Sequence, residues 1–317
     1  MSDPKATTSD SIGLTKYAWL SIAAAVVTIA LKTGAYLLTG SVGLLSDAAE
    51  SVVNLVAAVI ALVALTIAAR PADDNHHYGH GKAEYFSAGI EGLMIFVAAA
   101  LIIVSAVQRL LHPQALESLG IGLAITLLAT AVNGAVGWLL MKVGRQHRSA
   151  TLVADGKHLM TDVWTSVGVV VGVGMVAVTG WLPLDSLVAI AVAINILWMG
   201  WRLVASSTTS LLDAALSPGD VALVTAVLDE HRNGDVAFHG LQTRESGRQR
   251  FVSVHVLVPG AWTVQHAHDV VEAVEDDIRA ALDQVNVSTH LEPREDARSY
   301  EDYAYDSSVP RGDQHSR

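Results

Sequence analysis

Residues Gly43 to Ala69 read GLLSDAAESVVNLVAAVIALVALTIAA, and the architecture turns on this stretch. Crossing a hydrocarbon core of ~30 Å takes about 20 mostly apolar residues in a helix, and the run is long enough. Its polar residues are not scattered. Asp47, Glu50 and Asn54 fall at i, i+3 and i+7, along one stripe of the helix. An ionisable group in lipid costs about 2.5–3.5 kcal/mol on insertion scales, so such a stripe marks a site or a pathway.

Comparable apolar runs flank it at about Tyr17–Thr39, Tyr85–Leu111, Ile121–Met141, Ala154–Gly180 and Leu182–Val204, making six expected spans. The chain has 317 residues, 51% hydrophobic but only 16% charged, with mean hydropathy +0.41. Soluble domains carry about 25% charged residues. The first run is not read as a signal peptide, because Met1 to Thr15 is polar and long and no small-residue cleavage site follows. Bases mark the cytoplasmic connections: Lys5 and Lys16 before the first span, Arg70 and Lys82 between the second and third, and Lys142, Arg145, Arg148 and Lys157 between the fourth and fifth. Gly180, Trp181 and Pro183 read as a turn between two full spans. Both termini are therefore expected in the cytoplasm of a cell whose inner membrane holds the protein.

A net charge of −11, with no basic stripe, argues against nucleic acid as a partner. The absence of cysteine excludes disulfides, thiol catalysis and Cys-ligated metal, which leaves His, Asp, Glu and Asn as the available ligands. Thirteen histidines then become informative.

Past Leu212 the composition changes. Ser217 to Arg317 carries 18 acids against 9 bases, and its pattern is soluble. A helix (Val221–Glu230), an extended stretch (Ala237–Arg244), a turn at Ser246 and Gly247, a strand with Phe251, Val252, Val254, Val256 and Val258, a helix (Val264–Leu282) and a last strand (Val285–Leu291) give the order αββαβ. That order predicts a small open sheet with two helices on one face. The expected organisation is a polar N-terminal segment (1–13), a six-helix α-helical transmembrane domain (14–212), an α+β domain (213–293) and a disordered tail (294–317).

Three groups of residues have the composition of metal sites. In the fifth span His158 and Asp162 stand at i, i+4, one face again. With Glu50 and Asn54 they can complete a four-ligand shell around a divalent cation between two helices. The plain alternative is hydrogen bonding between helices, which is common for amides such as Asn54. Asp47, near the outer end of its span, reads as a terminus or access-path residue. Glu91 and Lys32 are further intramembrane groups, each able to pair with another helix or line a cavity. Between the second and third spans, Asp73, His76 and His80 have the spacing of a local chelate, with Gly79 and Gly81 freeing the backbone. In the soluble part His239, His255, His268 and His290 fall on four successive elements. Glu292 lies two residues beyond His290 on the same strand face, a combination suited to a regulatory metal site. Solvated histidines are the alternative there, and His77, His112, His147, His231, His266 and His315 are read that way.

Taken with the runs GSVGLLSD (Gly40–Asp47), PADDNH (Pro71–His76), YGHGKAE (Tyr78–Glu84) and SLLD (Ser210–Asp213), these residues resemble the cation diffusion facilitators, a family of divalent metal transporters. The resemblance runs from about Leu14 to Glu292. It implies a homodimer, a cytoplasmic domain of ferredoxin-like, metallochaperone-like fold, and exchange of cytosolic divalent metal for protons. It implies a transport site of Glu50, Asn54, His158 and Asp162, a loop site of Asp73, His76 and His80, and a cytoplasmic site of His239, His255, His290 and Glu292 with His268 nearby. Lys82 and Asp213 match positions that form a salt bridge at the family's dimer interface. One departure stands out: the family's second-span pair normally ends in Asp, and here it is Glu50 then Asn54. Three oxygens and one nitrogen form a harder set than a two-His site, which brings Mn²⁺, Fe²⁺ and Co²⁺ into competition with Zn²⁺, the first expectation.

The expected mechanism is alternating access, with metal as substrate and regulator, no prosthetic group and no enzymatic step. Ligands bind metal when deprotonated and release it when protons compete, and imidazole titrates in the working range. No HExxH motif supports an intramembrane hydrolase. A membrane-anchored metal sensor and a monovalent cation antiporter are the rival readings, and flux through an Asp162→Ala protein separates the first of them from transport.

Overall fold

The structure, a computed structural model, describes residues 4–39, 42–111, 120–181 and 183–300. Some helical residues in these ranges, Asp47 and Glu50 among them, are described by backbone alone. The sequence readings of Gly40, Ser41, His112 and the tail beyond Tyr300 lie outside the described residues. The chain divides into two units, Met1–Thr209 and Ser210–Arg317, close to the compositional break at Leu212.

The first unit holds six long helices among the described residues: α1 (Pro4–Thr39), α2 (Val42–Ala68), α3 (Ala83–Leu111), α4 (Gly120–Gln146), α5 (Ala150–Thr179) and α6 (Pro183–Leu211). All but α5 contain a described stretch apolar enough to span a membrane, and α5 carries Asp155, Lys157, His158 and Asp162 before an apolar second half. The first helix starts at Pro4, so most of the segment expected to stand apart (1–13) extends it instead; a proline at the first helical position has no N–H left unsatisfied. Trp19, Leu37, Leu101, Trp138, Val178 and Trp198 are among many exposed large apolar side chains, the outer wall of a lipid-embedded bundle. Lys142 lies over the Trp138 ring and Arg202 over Trp198, cations held beside interfacial aromatics.

Inside the bundle α1 packs on α2 and α4, α4 on α5, and α3 on α2 and α5. Small residues permit the closest approach, where α4 meets α5. A Cβ on Gly156 would fall 2.7 Å from Met141 Cγ and 2.8 Å from the Gly137 carbonyl oxygen. Gly156→Ala is therefore expected to cost about 1–3 kcal/mol by prising the two helices apart, read as a lower unfolding midpoint of the purified protein. The start of α5 is tied to α3. Ser149 caps it by accepting from Leu152 N–H and donates its own hydroxyl to the buried Glu84 carboxylate, while Thr151 Oγ1 donates to the Glu84 carbonyl at 3.3 Å.

The second unit follows the expected order: α7 (Pro218–His231), β1 (Ala237–Ser246), β2 (Gln249–Val258), α8 (Val264–Ala281) and β3 (Val285–Pro293). The strands run β1-β2-β3, antiparallel then parallel. Period-2 alternation turns Val252, Val254 and Val256 toward α7 and α8, where Val224, Leu228, Val271, Val274 and Ile278 complete the core. His255 consequently faces the other side. The first seven residues of the expected disordered tail are ordered: Arg294 N–H donates to Val258 O, residues Ala297–Tyr300 form a 3-10 turn, and Tyr300 Oη donates to Arg294 O. These backbone and hydroxyl bonds supply the anchoring that the polar composition of the segment had concealed.

Candidate metal centres

In the membrane unit three helices converge on one carboxylate. Asp162 Oδ2 accepts from Asn133 Nδ2 of α4 at 3.0 Å and from Asn54 Nδ2 of α2 in a close contact. All three side chains are buried. Among the described residues the amide oxygens of Asn54 and Asn133 have no hydrogen-bond partner, so each leaves a buried lone pair for a cation. His158 lies one turn before Asp162, also buried, with Nδ1 lacking a partner. Asn54 and Asp162 are thus in contact between α2 and α5; the side chains of Glu50 and Asp47 lie outside the described residues. Asn133 was not anticipated. Its signal is the one that drew attention to Asn54, an amide in an apolar span.

The loop group also forms. Asp73 Oδ1 accepts from the backbone N–H of Asn75 and His76 at 2.9 and 2.8 Å, an Asx turn that bends the chain back on itself. His76 Nδ1 then lies 3.1 Å from Asp73 Oδ1 and His80 Nε2 3.3 Å from Oδ2, with Gly79 at φ 78° between the two histidines. Desolvation works to raise the Asp73 carboxyl, and the hydrogen bonds from Asn75 and His76 overcome it and hold the group below its ordinary value. One atom from each of the three residues falls within 4.8 Å of the others, a three-ligand cluster.

In the second unit strand register does the assembling. His239 pairs across from His255, and His255 from His290, so three imidazoles stand in one row on the sheet face away from the helices. A bulge follows His239, with Gly240 at φ 63°. Glu292, two residues along β3, bridges the row: Oε2 lies 2.8 Å from His239 Nε2 and Oε1 2.9 Å from His255 Nδ1. His239, His255 and Glu292 form the second three-ligand cluster among the described residues. His290 stacks on His255 at 4.8 Å between ring centroids and sits at the edge of the group. His268 does not join it. That residue rides the exposed side of α8, 3.8 Å from Glu272, and α8 covers the opposite face of the sheet. Asp213 accepts from Arg244 within its own unit.

The fold is that of a multi-pass helical membrane protein with a small α+β domain and candidate metal sites in both units. The cation efflux transmembrane domain matches residues 18–212, and the cytoplasmic domain of cation efflux proteins matches residues 216–294. The chain belongs to the cation efflux family, the cation diffusion facilitators. It is 52% identical to the uncharacterized transporter sll1263 of Synechocystis sp. over 90% of this chain and 92% of that one. It is 30% identical to the cation-efflux pump FieF of Klebsiella pneumoniae, over 83% and 87%. Among solved structures, the metal-bound C-terminal domain of the CzcD transporter from Thermotoga maritima aligns with 26% of this chain and 99% of its own, at 21% identity and TM-score 0.23. The chain is thus a multi-pass membrane protein of a metal-transporting family, with a C-terminal cytoplasmic α+β domain.

Proposed function

We propose that the protein exports a divalent transition metal, Zn²⁺ first and Mn²⁺, Fe²⁺ or Co²⁺ in competition, from the cytoplasm in exchange for protons. It works as a homodimer in the cell membrane with both termini inside. The observation that carries this reading is the buried Asp162 carboxylate, approached by amides from α2 and α4 whose oxygens are left open. Glu50, Asn54, His158 and Asp162 form the transport site, and Asn133 orients Asp162. Two carboxylates neutralise the divalent charge, which a low-dielectric interior requires. Protons arriving from outside compete for the same lone pairs and release the metal outward. Asp47 lies on the outer path.

The loop cluster and the His239–His255–Glu292 cluster, with His290, bind metal outside the transport path. Metal at the cytoplasmic cluster biases the two access states as far as its affinities for them differ. Lys82 and Asp213 pair between protomers and set the dimer register. A vesicle assay tests the reading: Zn²⁺ uptake should rise with an imposed pH gradient, and gradient-independent uptake would count against proton exchange. Asn54→Asp adds a third negative charge to the site and is expected to tighten binding of every divalent ion about tenfold. Competition among Zn²⁺, Mn²⁺, Fe²⁺ and Co²⁺ in binding titrations checks this, and unchanged affinities would remove Asn54 from the coordination shell.

A further inference from the structure

A second polar group lies in the membrane unit and plays no part in the metal site. Glu91 of α3 and Asp155 of α5 are fully buried. Glu91 Oε1 accepts from Ser87 at 3.0 Å, but among the described residues Oε2 has no hydrogen-bond partner within 3.5 Å, and neither oxygen of Asp155 has one. Ser21 of α1 is also fully buried, with its hydroxyl beside the Asp155 carboxylate. The packed helices α3 and α5 thus each carry a fully buried carboxylate with unpartnered oxygen.

Among the described residues the surroundings of these carboxylates are apolar. Ala88, Ile95 and Ala99 of α3, Ala154 of α5, and Ile196 and Leu203 of α6 form the apolar cluster here. Asp155 is the one charged group among the described residues whose field reaches Glu91. The nearest cation on α5, Lys157, sits instead in the fields of Arg145 and Arg202. From α2 the acidic groups are Asp47 and Glu50, whose side chains are not described, and Lys32 of α1 is buried eleven residues beyond Ser21, about 16 Å along the helix axis. Two bare carboxylates in such a place cannot both stay ionised. Either a proton or a bound cation must compensate them. The group has no imidazole or amide, and a single proton shared by the pair already removes the like-charge repulsion, so the proton is favoured.

We propose that Glu91 and Asp155 form an intramembrane proton-binding site, separate from the metal site, that passes protons between His158 and Asp162 and the cytoplasmic end of the bundle. One proton takes the pair from charge −2 to −1. Its position suits a relay: Asp155 precedes His158 by three residues on α5, about 4.5 Å along the axis, on the side of the capped α5 start where Glu84 and Ser149 lie. The relay role rests on the proton-exchange reading; the proton site itself does not.

The test uses the full-length protein in lipid vesicles. At neutral pH its infrared spectrum should contain the carbonyl stretch of a protonated carboxylic acid that is absent from a Glu91→Gln/Asp155→Asn double variant and retained in Glu91→Asp, which keeps the carboxyl. In flux, the double variant should lose about tenfold of the acceleration given by a pH gradient, while Zn²⁺ binding measured by calorimetry stays at the wild-type value. An unchanged infrared band would overturn the proposal. So would one equivalent of Na⁺ or Mg²⁺ that co-purifies with the wild type and is missing from the double variant. If wild-type flux ignores the pH gradient, proton exchange fails and the relay with it, and the infrared band alone then decides for or against the proton site.

Discussion

Asp162→Ala is expected to reduce metal transport at least about a hundredfold while the protein stays folded. Breaking one side of a buried, charge-paired arrangement costs about 3–5 kcal/mol, which is that order in affinity. Asp162 is the one described carboxylate reached by donors from two other helices, Asn54 on α2 and Asn133 on α4. Without it Glu50 alone would face a divalent ion in a low-dielectric bundle. Asp162→Asn should fail nearly as badly, since it keeps the volume and loses the charge. Asn133→Ala, which removes an orienting partner, should cost about 10- to 100-fold. Zn²⁺ uptake into vesicles at matched protein levels is the measurement, and near-normal uptake by Asp162→Ala would place the transport site elsewhere.

Glu292→Ala is expected to weaken metal binding at the cytoplasmic cluster by about a hundredfold or more, because the carboxylate is both a ligand and the acceptor that orients two imidazoles. The same residue sets an acid limit. Burial works to raise the Glu292 carboxyl, and the hydrogen bonds and charge of His239 and His255 overcome it and hold the group below its ordinary 4.5. A lowered carboxyl stabilises the fold fully above that ordinary value and ceases to do so as pH falls through the lowered one. Metal-free protein should therefore lose stability on acidification below about 4.5, and Glu292→Gln should lack that part of the loss. Thermal unfolding against pH and Zn²⁺ titration at neutral pH read both effects. Transport by Glu292→Ala should persist at high metal. Wild-type protein that moves no metal, yet binds Zn²⁺ at a site lost in Glu292→Ala, would favour a sensor whose soluble domain is the working part.

The sequence made the helices and strands legible because both periods were clean. A run such as Leu55–Ala69 has one reading, and the alternation from Phe251 to Val258 has one face for the core. The chelating loop was legible for a local reason, since Asp73, His76 and His80 are close in sequence and an Asx turn suffices to gather them. What could not be read was register and partner choice. Strand spacing put His239, His255 and His290 on successive elements, but only the pairing sets them in one row and leaves His268 on the other side of the sheet. Asn133 showed only an amide in an apolar span, and its partner lies 29 residues away on another helix. Asp155 was masked by the more obvious His158 and Asp162 pair on its own helix.

The most direct measurement of the proposed exchange is simultaneous: Zn²⁺ entry and internal pH followed together in vesicles holding the wild-type protein, with Mn²⁺, Fe²⁺ and Co²⁺ as competitors. The expected result is a proton flux opposite to the metal flux, with a fixed ratio, lost in Asp162→Ala. Metal flux with no accompanying pH change, or one that survives Asp162→Ala, would contradict it.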